Sequence, residues 1–172
     1  MDFKTKQNLE VIPGINGLPA DYPVPEATDD LLFYIQRNQN KNTVVYNLNR
    51  NNLGQIHQDY PMNVSWINYS DGGVRKELNQ IQNKLAYGYN SKVINSETFE
   101  FHFVSYERLR FFIAKQEGKQ FKALLKINEE MSILNNVYVY AEEIGVFPQV
   151  KFIELFGESL QTREAVYQRI LI

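Results

Sequence analysis

The stretch from Leu31 to Asn49 constrains the fold of this chain more than any other. Two runs rich in β-branched and aromatic residues, Leu31–Arg37 and Thr43–Asn49, flank a turn rich in amide side chains. Such residues fit the pleated, half-buried surface of a sheet, and a short connection between two such runs favours antiparallel pairing. The sequence therefore predicts a β-hairpin here, to which the later segments add strands.

The later segments repeat the strand pattern at hairpin spacing. From Phe99 to Phe103, three phenylalanines alternate with Glu100 and His102, which predicts an apolar face and a polar face on one strand. Short turns separate most of the runs, and short turns join antiparallel neighbours. The strands predicted after the hairpin are residues 62–69, 99–103, 109–115, 121–127, 131–140, 150–156 and 167–172.

A single alternation is expected along the strand at residues 131–140. A strand with one solvated face shows this pattern. The side chains predicted to face the core are Met131, Ile133, Val137 and Val139, and those predicted to face away are Ser132, Asn136, Tyr138 and Tyr140.

One helix is predicted, from Val74 to about Tyr87. Its apolar residues recur at intervals of three and four, which places them in one stripe at the helical period. Ser70 or Asp71 is expected to cap the N-terminus, and Gly88 is positioned for a left-handed C-terminal cap. A stripe of this kind is typical of core packing. Its members are Val74, Leu78, Ile81, Leu85 and Tyr89.

These elements together predict an α+β domain that is mainly antiparallel β. We expect a curved sheet or barrel-like domain of about eight strands with one covering helix, and a two-sheet sandwich is the alternative. Residues 1–28 contain most of the prolines and are predicted to form an extended leader. Residues 29–172 are predicted to form a single β-rich domain.

The composition excludes several classes of function. The chain has no cysteine, which rules out disulfides, thiolate catalysis and cysteine-ligated metal sites. A formal net charge of −2 gives no field that would recruit nucleic acid, so no nucleic-acid partner is expected. No apolar run approaches the roughly 20 residues that span a bilayer, and the first residues lack the apolar region of a signal peptide. The sequence predicts a soluble domain.

Five short segments resemble an uncharacterised bacterial family defined by a domain of unknown function. The segments are Leu32–Arg37, Asn42–Tyr46, Trp66–Ile67, Ala86–Gly88 and Ile153–Gly157. The resemblance covers the chain from about residue 31 to the C-terminus. Members of that family often follow an export signal, which this chain lacks or has lost. The resemblance implies no activity, cofactor or catalytic residue, and it leaves the compartment open.

The sequence contains no recognisable catalytic motif. Its two histidines, His57 and His102, form neither an H-E-x-x-H motif nor a close pair, so no metal or other cofactor is predicted. No G-x-S-x-G elbow or phosphate-binding loop occurs, and no catalytic residue is predicted. His102 lies opposite the phenylalanine face of its strand and is a candidate for ligand binding.

Arg37, Tyr46 and Trp66 are the other candidates for ligand binding. Arg37 shares the face of Phe33 and Ile35, because the three residues are two positions apart, so a regular strand would point its guanidinium group toward the apolar side. A charge buried there requires a partner or a bound anion. If the strand ends first, Arg37 extends into solvent at the rim, which is the favoured interpretation. Tyr46 and Trp66 fit the core, although aromatic side chains with a polar tip also line cavities.

Three functions remain open, in decreasing order of support. The first is a non-enzymatic domain that binds a small amphipathic ligand or an envelope component in a curved-sheet cavity, as the aromatic content and the number of strands suggest. The second is an interaction or structural module with a solid core, whose exposed Tyr138 and Tyr140 contact a protein partner. The third is a hydrolase or isomerase whose site is assembled from distant residues.

Overall fold

Within residues 22–172, which the computed structural model describes, eleven strands form one curled, half-barrel sheet. The predicted mainly antiparallel, curved sheet is confirmed, but it has more strands and less helix than expected. The strands are β1 (Leu31–Arg37), β2 (Thr43–Leu48), β3 (Met62–Asn68), β4 (Val74–Glu77), β5 (Tyr89–Asn95), β6 (Thr98–Phe103), β7 (Tyr106–Lys115), β8 (Phe121–Ile127), β9 (Glu130–Ile144), β10 (Phe147–Ser159) and β11 (Ala165–Leu171).

The sheet divides on β9. One edge of β9 pairs with β10 along nearly its whole length, whereas the other edge pairs with β8 at residues 130–133 and with β1 at residues 136–139. Strands β1–β4 therefore form a first wing and strands β5–β8 a second wing, and β11 extends the sheet beyond β10. The β1–β9 pair is parallel, and the sheet is therefore mainly, but not wholly, antiparallel.

Asn38, the residue after β1, extends this parallel pair with its side chain. Its Nδ2 atom donates to the Ala141 carbonyl oxygen at 2.9 Å, and its Oδ1 atom accepts from the Ala141 N–H at 2.8 Å. The Asn38 backbone N–H donates to the carbonyl oxygen of Val139 at 3.2 Å. The side-chain amide thus continues the hydrogen bonding between β1 and β9, which joins positions 103 residues apart.

Aromatic rings fill the core between the two wings. Phe33 of β1 stacks on Tyr46 of β2 with ring centroids 4.4 Å apart. Phe33 also contacts Phe101 and Phe111 of the second wing, at 6.2 and 6.4 Å. All four side chains are fully buried. The predicted apolar face of β6 is confirmed, because Phe99, Phe101 and Phe103 are all buried.

The prediction of a helix from Val74 to Tyr87 is wrong in its start and its length. Residues Val74–Glu77 form β4, an exposed strand paired with β3. Helix α1 occupies only Gln80–Leu85. The exposed side chain of Val74 does not belong to a buried helical stripe. The helix is therefore a short turn beside the first wing, and the domain is closer to all-β than to α+β.

Local hydrogen bonds explain where α1 begins. The Asn79 Oδ1 atom accepts from the Gln82 N–H at 2.8 Å, and Gln82 Oε1 accepts from the Asn79 N–H at 3.0 Å. This reciprocal capping box sets the N-terminus well after the predicted one. Beyond the helix, a Cβ atom on Gly88 would lie 1.8 Å from the Asn83 carbonyl oxygen. Glycine is therefore required at position 88 by the close approach of the chain.

A β-bulge in β9 interrupts the single alternation predicted for residues 131–140. Asn136 pairs with Phe156 and Leu134 pairs with Gly157, so Asn135 is the extra residue. Leu134 and Val137 consequently both face the core. The prediction holds for Val137 and Val139, but Met131 is exposed, and Ser132, Asn136 and Tyr138 are buried.

Residues 22–28 of the predicted leader lie in the described part of the chain, and residues 1–21 lie outside it. The Tyr22 hydroxyl donates to the Arg37 carbonyl oxygen at 2.5 Å, and the Tyr22 ring packs edge-on against Tyr138. The Pro23 carbonyl oxygen accepts from Gln36 Nε2 at 2.8 Å. These contacts lie on the outer face of β1 and β9. The boundary after residue 28 stays a prediction.

Candidate functional site

Two of the sequence candidates, Arg37 and Trp66, come together in a shallow recess of the first wing. Arg37 is the last residue of β1, and its guanidinium carbon lies 4.8 Å from the centroid of the Trp66 ring. Trp66 is 8% exposed and donates from Nε1 to the Gln82 Oε1 atom at 3.2 Å. The recess has a volume of about 340 Å³. It is lined by Arg37, Asn42, Trp66, Asn68, Lys76, Glu77, Asn79 and Gln82.

The Arg37 side chain is half-buried and has no carboxylate partner within residues 22–172. One terminal nitrogen donates to Asn40 Oδ1 at 3.0 Å, whereas the Nε atom is buried without a partner in this part of the chain. Burial raises the pKa of Tyr87, and both the charge of the adjacent Arg37 guanidinium and its hydrogen bond with the Tyr87 side chain oppose that rise. The Arg37 side chain thus ends at the rim of the core. Its aliphatic stem is packed, and its Nε–H group has no hydrogen-bond partner in the described residues.

The other two candidates, Tyr46 and His102, lie outside this recess. Tyr46 is fully buried, and its hydroxyl donates to the Tyr87 carbonyl oxygen at 2.7 Å; burial raises the pKa of Tyr46 well above its ordinary value. His102 pairs with Asn90 of β5, and within the described residues it makes no hydrogen bond to a serine or a carboxylate. No group of three metal-ligating side chains occurs within residues 22–172.

A larger cleft lies where the two wings separate on β9. Leu134 and Asn135 fall between the residues that pair with β8 and those that pair with β1. The resulting cleft has a volume of about 770 Å³, which is in the usual range of small-molecule sites. We call it the fork cleft. Its lining comprises residues 27–28, 31–34, 122, 133–136, 156–158, 163 and 165–167.

Both faces of the sheet contribute to the fork cleft. Its apolar part consists of side chains that belong to the core, namely Leu32, Phe33, Leu134 and Val166. Its polar part comes from the bulge in β9 and from the outer face of the neighbouring strands, and consists of Tyr34, Asn135, Asn136 and Tyr167. The cleft therefore combines an apolar surface with hydrogen-bonding groups.

Asn136 places a buried donor without a partner at this cleft. Its side chain is fully buried, and its Oδ1 atom accepts from Asn135 Nδ2 at 2.7 Å. Its Nδ2 atom has no hydrogen-bond partner in the described part of the chain. A buried donor left unsatisfied costs about 1–3 kcal/mol. A ligand oxygen at this position would remove that cost.

Charged side chains reach the fork cleft from β8 and from the turn between β10 and β11. Arg163 adopts a φ of 64°, which is uncommon for a residue other than glycine, and its Nε and terminal nitrogen atoms donate to Glu158 Oε1 at 2.9 and 2.6 Å. Lys122 is half-buried and forms no ion pair within residues 22–172. Lys122 is therefore a positive charge at the cleft that no described carboxylate neutralises.

A buried carboxylate adjoins the fork cleft through Tyr167. Glu154 is fully buried, and its Oε2 atom accepts from the Tyr167 hydroxyl and from two Arg169 nitrogens at 3.0 and 3.2 Å. Its Oε1 atom has no partner among the described residues. Burial raises the pKa of Glu154, and the hydrogen bonds from Tyr167 and Arg169 oppose that rise.

Sequence analysis missed the fork cleft and Glu154 for different reasons. The cleft depends on the parallel β1–β9 pair and on the bulge at Asn135, and the β1–β9 pair has no local signature. Glu154 lies in a predicted strand between Ile153 and Leu155, and no local pattern in the sequence distinguishes it from a solvated strand carboxylate. The adjacent amides Asn135 and Asn136 inside an apolar strand were the available signal for an irregularity. Tyr138, expected at an exposed partner surface, is fully buried instead.

The profile of DUF4833, a domain of unknown function, matches residues 33–169. The chain belongs to the DUF4833 family. This match confirms the resemblance to a family of unknown function. The matched part of the DUF4833 domain includes Arg37, Trp66, Lys122 and Asn136, and thus most of both the recess and the fork cleft. No curated protein and no solved structure matches the chain. Within the described residues, no helix is long and apolar enough to cross a membrane.

Proposed function

We propose that this DUF4833 domain is a non-enzymatic binding domain that holds a small amphipathic ligand in the fork cleft. The observation that carries the proposal is the composition of the cleft, in which core side chains lie beside polar groups that lack partners in the described chain. Small-molecule sites combine a mostly apolar lining with a few placed polar groups. Packed side chains fill the interior between the wings, so the fork cleft is a better candidate for the ligand site than that interior.

The apolar side chains at the fork would contact the hydrocarbon part of the ligand. Leu32 and Leu134 are 6% and 1% exposed, and both line the cleft while packing into the core. A rigid, packed lining is favourable because little side-chain freedom remains to be lost on binding. Transfer of apolar ligand surface out of water contributes roughly 25 cal/mol per Å².

The polar groups favour a head group that accepts hydrogen bonds or carries negative charge. Asn136 offers a buried Nδ2 donor, and Lys122 offers a positive charge without an ion pair in residues 22–172. A carboxylate could interact with both, whereas a cationic head would be repelled by Lys122. Dodecanoate, which has a carboxylate on a saturated chain, is therefore a suitable probe.

Thermal unfolding in the presence of dodecanoate, below micelle formation, tests the proposal. A ligand that binds only the native state raises the midpoint by mass action. We expect dodecanoate to raise it, and dodecyltrimethylammonium, with an equal chain and a cationic head, to raise it less. Ala165→Trp should abolish the shift, because Ala165 is exposed and lines the cleft, where an indole would occupy the ligand space.

Two lysines on β8 provide a matched control. Lys122 lines the fork cleft, whereas Lys126, four residues along the same strand, is exposed and does not line it. Lys122→Met should reduce the shift produced by dodecanoate, and Lys126→Met should leave it unchanged. A shift that is equal in the wild type and in Ala165→Trp would contradict the proposal, as would no shift with either amphiphile.

A further inference from the structure

The recess around Arg37 and Trp66 is a separate feature whose chemistry the fork cleft does not explain, since the two share none of their described lining residues. The Arg37 guanidinium is held over the Trp66 ring, at 4.8 Å, and has no carboxylate partner within residues 22–172. Its Nε atom is buried and unpartnered there. A guanidinium group held in this way presents a planar set of donors that matches a carboxylate or phosphate.

The amide side chains of the recess are oriented by hydrogen bonds from the protein. Asn42 Oδ1 accepts from the Ser70 N–H at 3.0 Å, and Asn79 Oδ1 accepts from the Gln82 N–H at 2.8 Å. Gln82 Oε1 accepts from the Asn79 N–H and from Trp66 Nε1. Backbone and indole N–H groups can only donate, so each of these amide oxygens is committed to the protein.

The amide nitrogens are consequently the groups left for a ligand. Those of Asn42, Asn79 and Gln82 donate no hydrogen bond to another residue of the described chain. Together with Arg37 and Lys76 they surround one recess of about 340 Å³ with donors and positive charge. Such a surface is complementary to an oxyanion, because an anion supplies acceptors and no competing donors.

We propose that this recess binds a small hydroxylated anion through a single phosphate or carboxylate group. Arg37 binds the oxyanion, and Lys76 and the amide nitrogens add hydrogen bonds. Glu77 also lines the recess. Its carboxylate repels a second negative charge but accepts a hydrogen bond from a ligand hydroxyl, which favours a polyol carrying one anionic group over a highly charged anion.

The fluorescence of Trp66 provides a direct test, because it is the only tryptophan in the chain and lies in the recess. The wild type is titrated with glycerol 3-phosphate and with inorganic phosphate, while sodium chloride holds the ionic strength constant. We expect a saturable change with a Kd of about 1 mM or lower, and tighter binding of glycerol 3-phosphate. The absence of a saturable change with either anion would overturn this proposal and would not affect the proposed function of the fork cleft.

Three variants assign the binding to the recess. Arg37→Met should weaken the affinity for glycerol 3-phosphate by roughly tenfold or more, which corresponds to about 1.4 kcal/mol. Lys76→Met should weaken it by a smaller factor, and it serves if Arg37→Met fails to fold, because Lys76 is exposed on β4. Arg75→Met, also on β4 but outside the lining, should bind like the wild type. Unchanged affinity in Lys76→Met and in folded Arg37→Met would overturn the proposal.

Discussion

The two faces of the sheet around β1, β9 and β10 bury their side chains in different ways. On the inner face, Phe33 packs against Phe101 of the opposite wing, and the surroundings are apolar. On the outer face of the same strands, Gln36, Tyr138 and Glu154 are also at most 1% exposed. Both faces exclude water, but one does so with aromatic rings and the other with polar groups.

The outer face tolerates burial because hydrogen bonds replace most of its contacts with water. Gln36 Nε2 donates to the Pro23 carbonyl oxygen, and Glu154 accepts from Tyr167 and Arg169. Buried polar groups are stable where such partners exist. An alternation of apolar and polar residues therefore identifies the apolar face of a strand, but it does not show that the polar face is solvated.

The largest effect is expected on the inner face, for Phe101→Ala. The ring is 1% exposed and stacks on Phe111 at 4.8 Å, so its removal leaves a cavity in the core. We expect a loss of about 3–5 kcal/mol in the free energy of unfolding, measured by urea denaturation. Glu100→Ala, which removes a side chain paired with exposed Arg110, should change stability little. Equal losses at both positions would disprove the assignment of faces.

A smaller effect of opposite sign is expected on the outer face, for Asn136→Leu. The substitution replaces a buried amide that has an unpartnered Nδ2 atom with an apolar side chain of similar shape. We expect the free energy of unfolding to rise by about 1 kcal/mol and the dodecanoate-induced shift to decrease. Asn135→Leu, at an exposed neighbour, should produce no such gain. A loss of stability in Asn136→Leu would show that this amide is satisfied in the native protein.

The smallest effect is expected for Glu154→Gln, as a change in pH dependence. Burial raises the pKa of Glu154, so the native state retains a proton at pH values where the unfolded state has released it. The stability linked to this group is complete below its ordinary pKa of 4.5 and is lost as the pH rises through the raised value. Urea denaturation between about pH 4 and pH 8 should show a flatter profile for Glu154→Gln than for the wild type. Glu143→Gln, at an exposed position on β9, should keep the wild-type profile, and an unchanged slope in Glu154→Gln would contradict the prediction.

Local sequence patterns predicted the elements whose alternation matches their burial. Strand β6 is of this kind, because its three phenylalanines face the core. The first hairpin was predicted from its β-branched and aromatic residues instead, and both of its faces are buried, with Tyr34 and Val45 in a second cluster on the outer face. Edge strands β4 and β5 were not predictable in this way, since their side chains are mostly exposed and show no apolar face. The helix was predicted too long because Val74 fits the helical period, whereas the capping box at Asn79 determines where the helix begins.

The Arg37 recess and the fork cleft also differ in how far local sequence patterns predict them. Arg37 was noticed because a cation on an apolar alternation is unusual, and its proximity to Trp66 follows from the register of two consecutive hairpins: Ile35 pairs with Val44, and Val44 pairs with Trp66. The fork cleft instead requires the parallel pairing of β1 with β9 and a bulge at Asn135. Strands β1 and β9 are far apart in the sequence, so patterns among neighbouring residues do not predict that they pair.

The link between Asn38 and Ala141, 103 residues apart, also bears on the order in which the molecule assembles. The β1–β2 hairpin can close early, whereas β1 acquires its second neighbour only after a long loop has closed, and distant contacts of this kind slow folding. Pulse-labelled hydrogen exchange during refolding should show amides between β1 and β2 protected before those between β1 and β9; simultaneous protection would exclude this order.

Until β9 has paired with β1, one edge of β1 is an open strand edge that another chain could pair with. The refolding yield should therefore fall as the protein concentration rises.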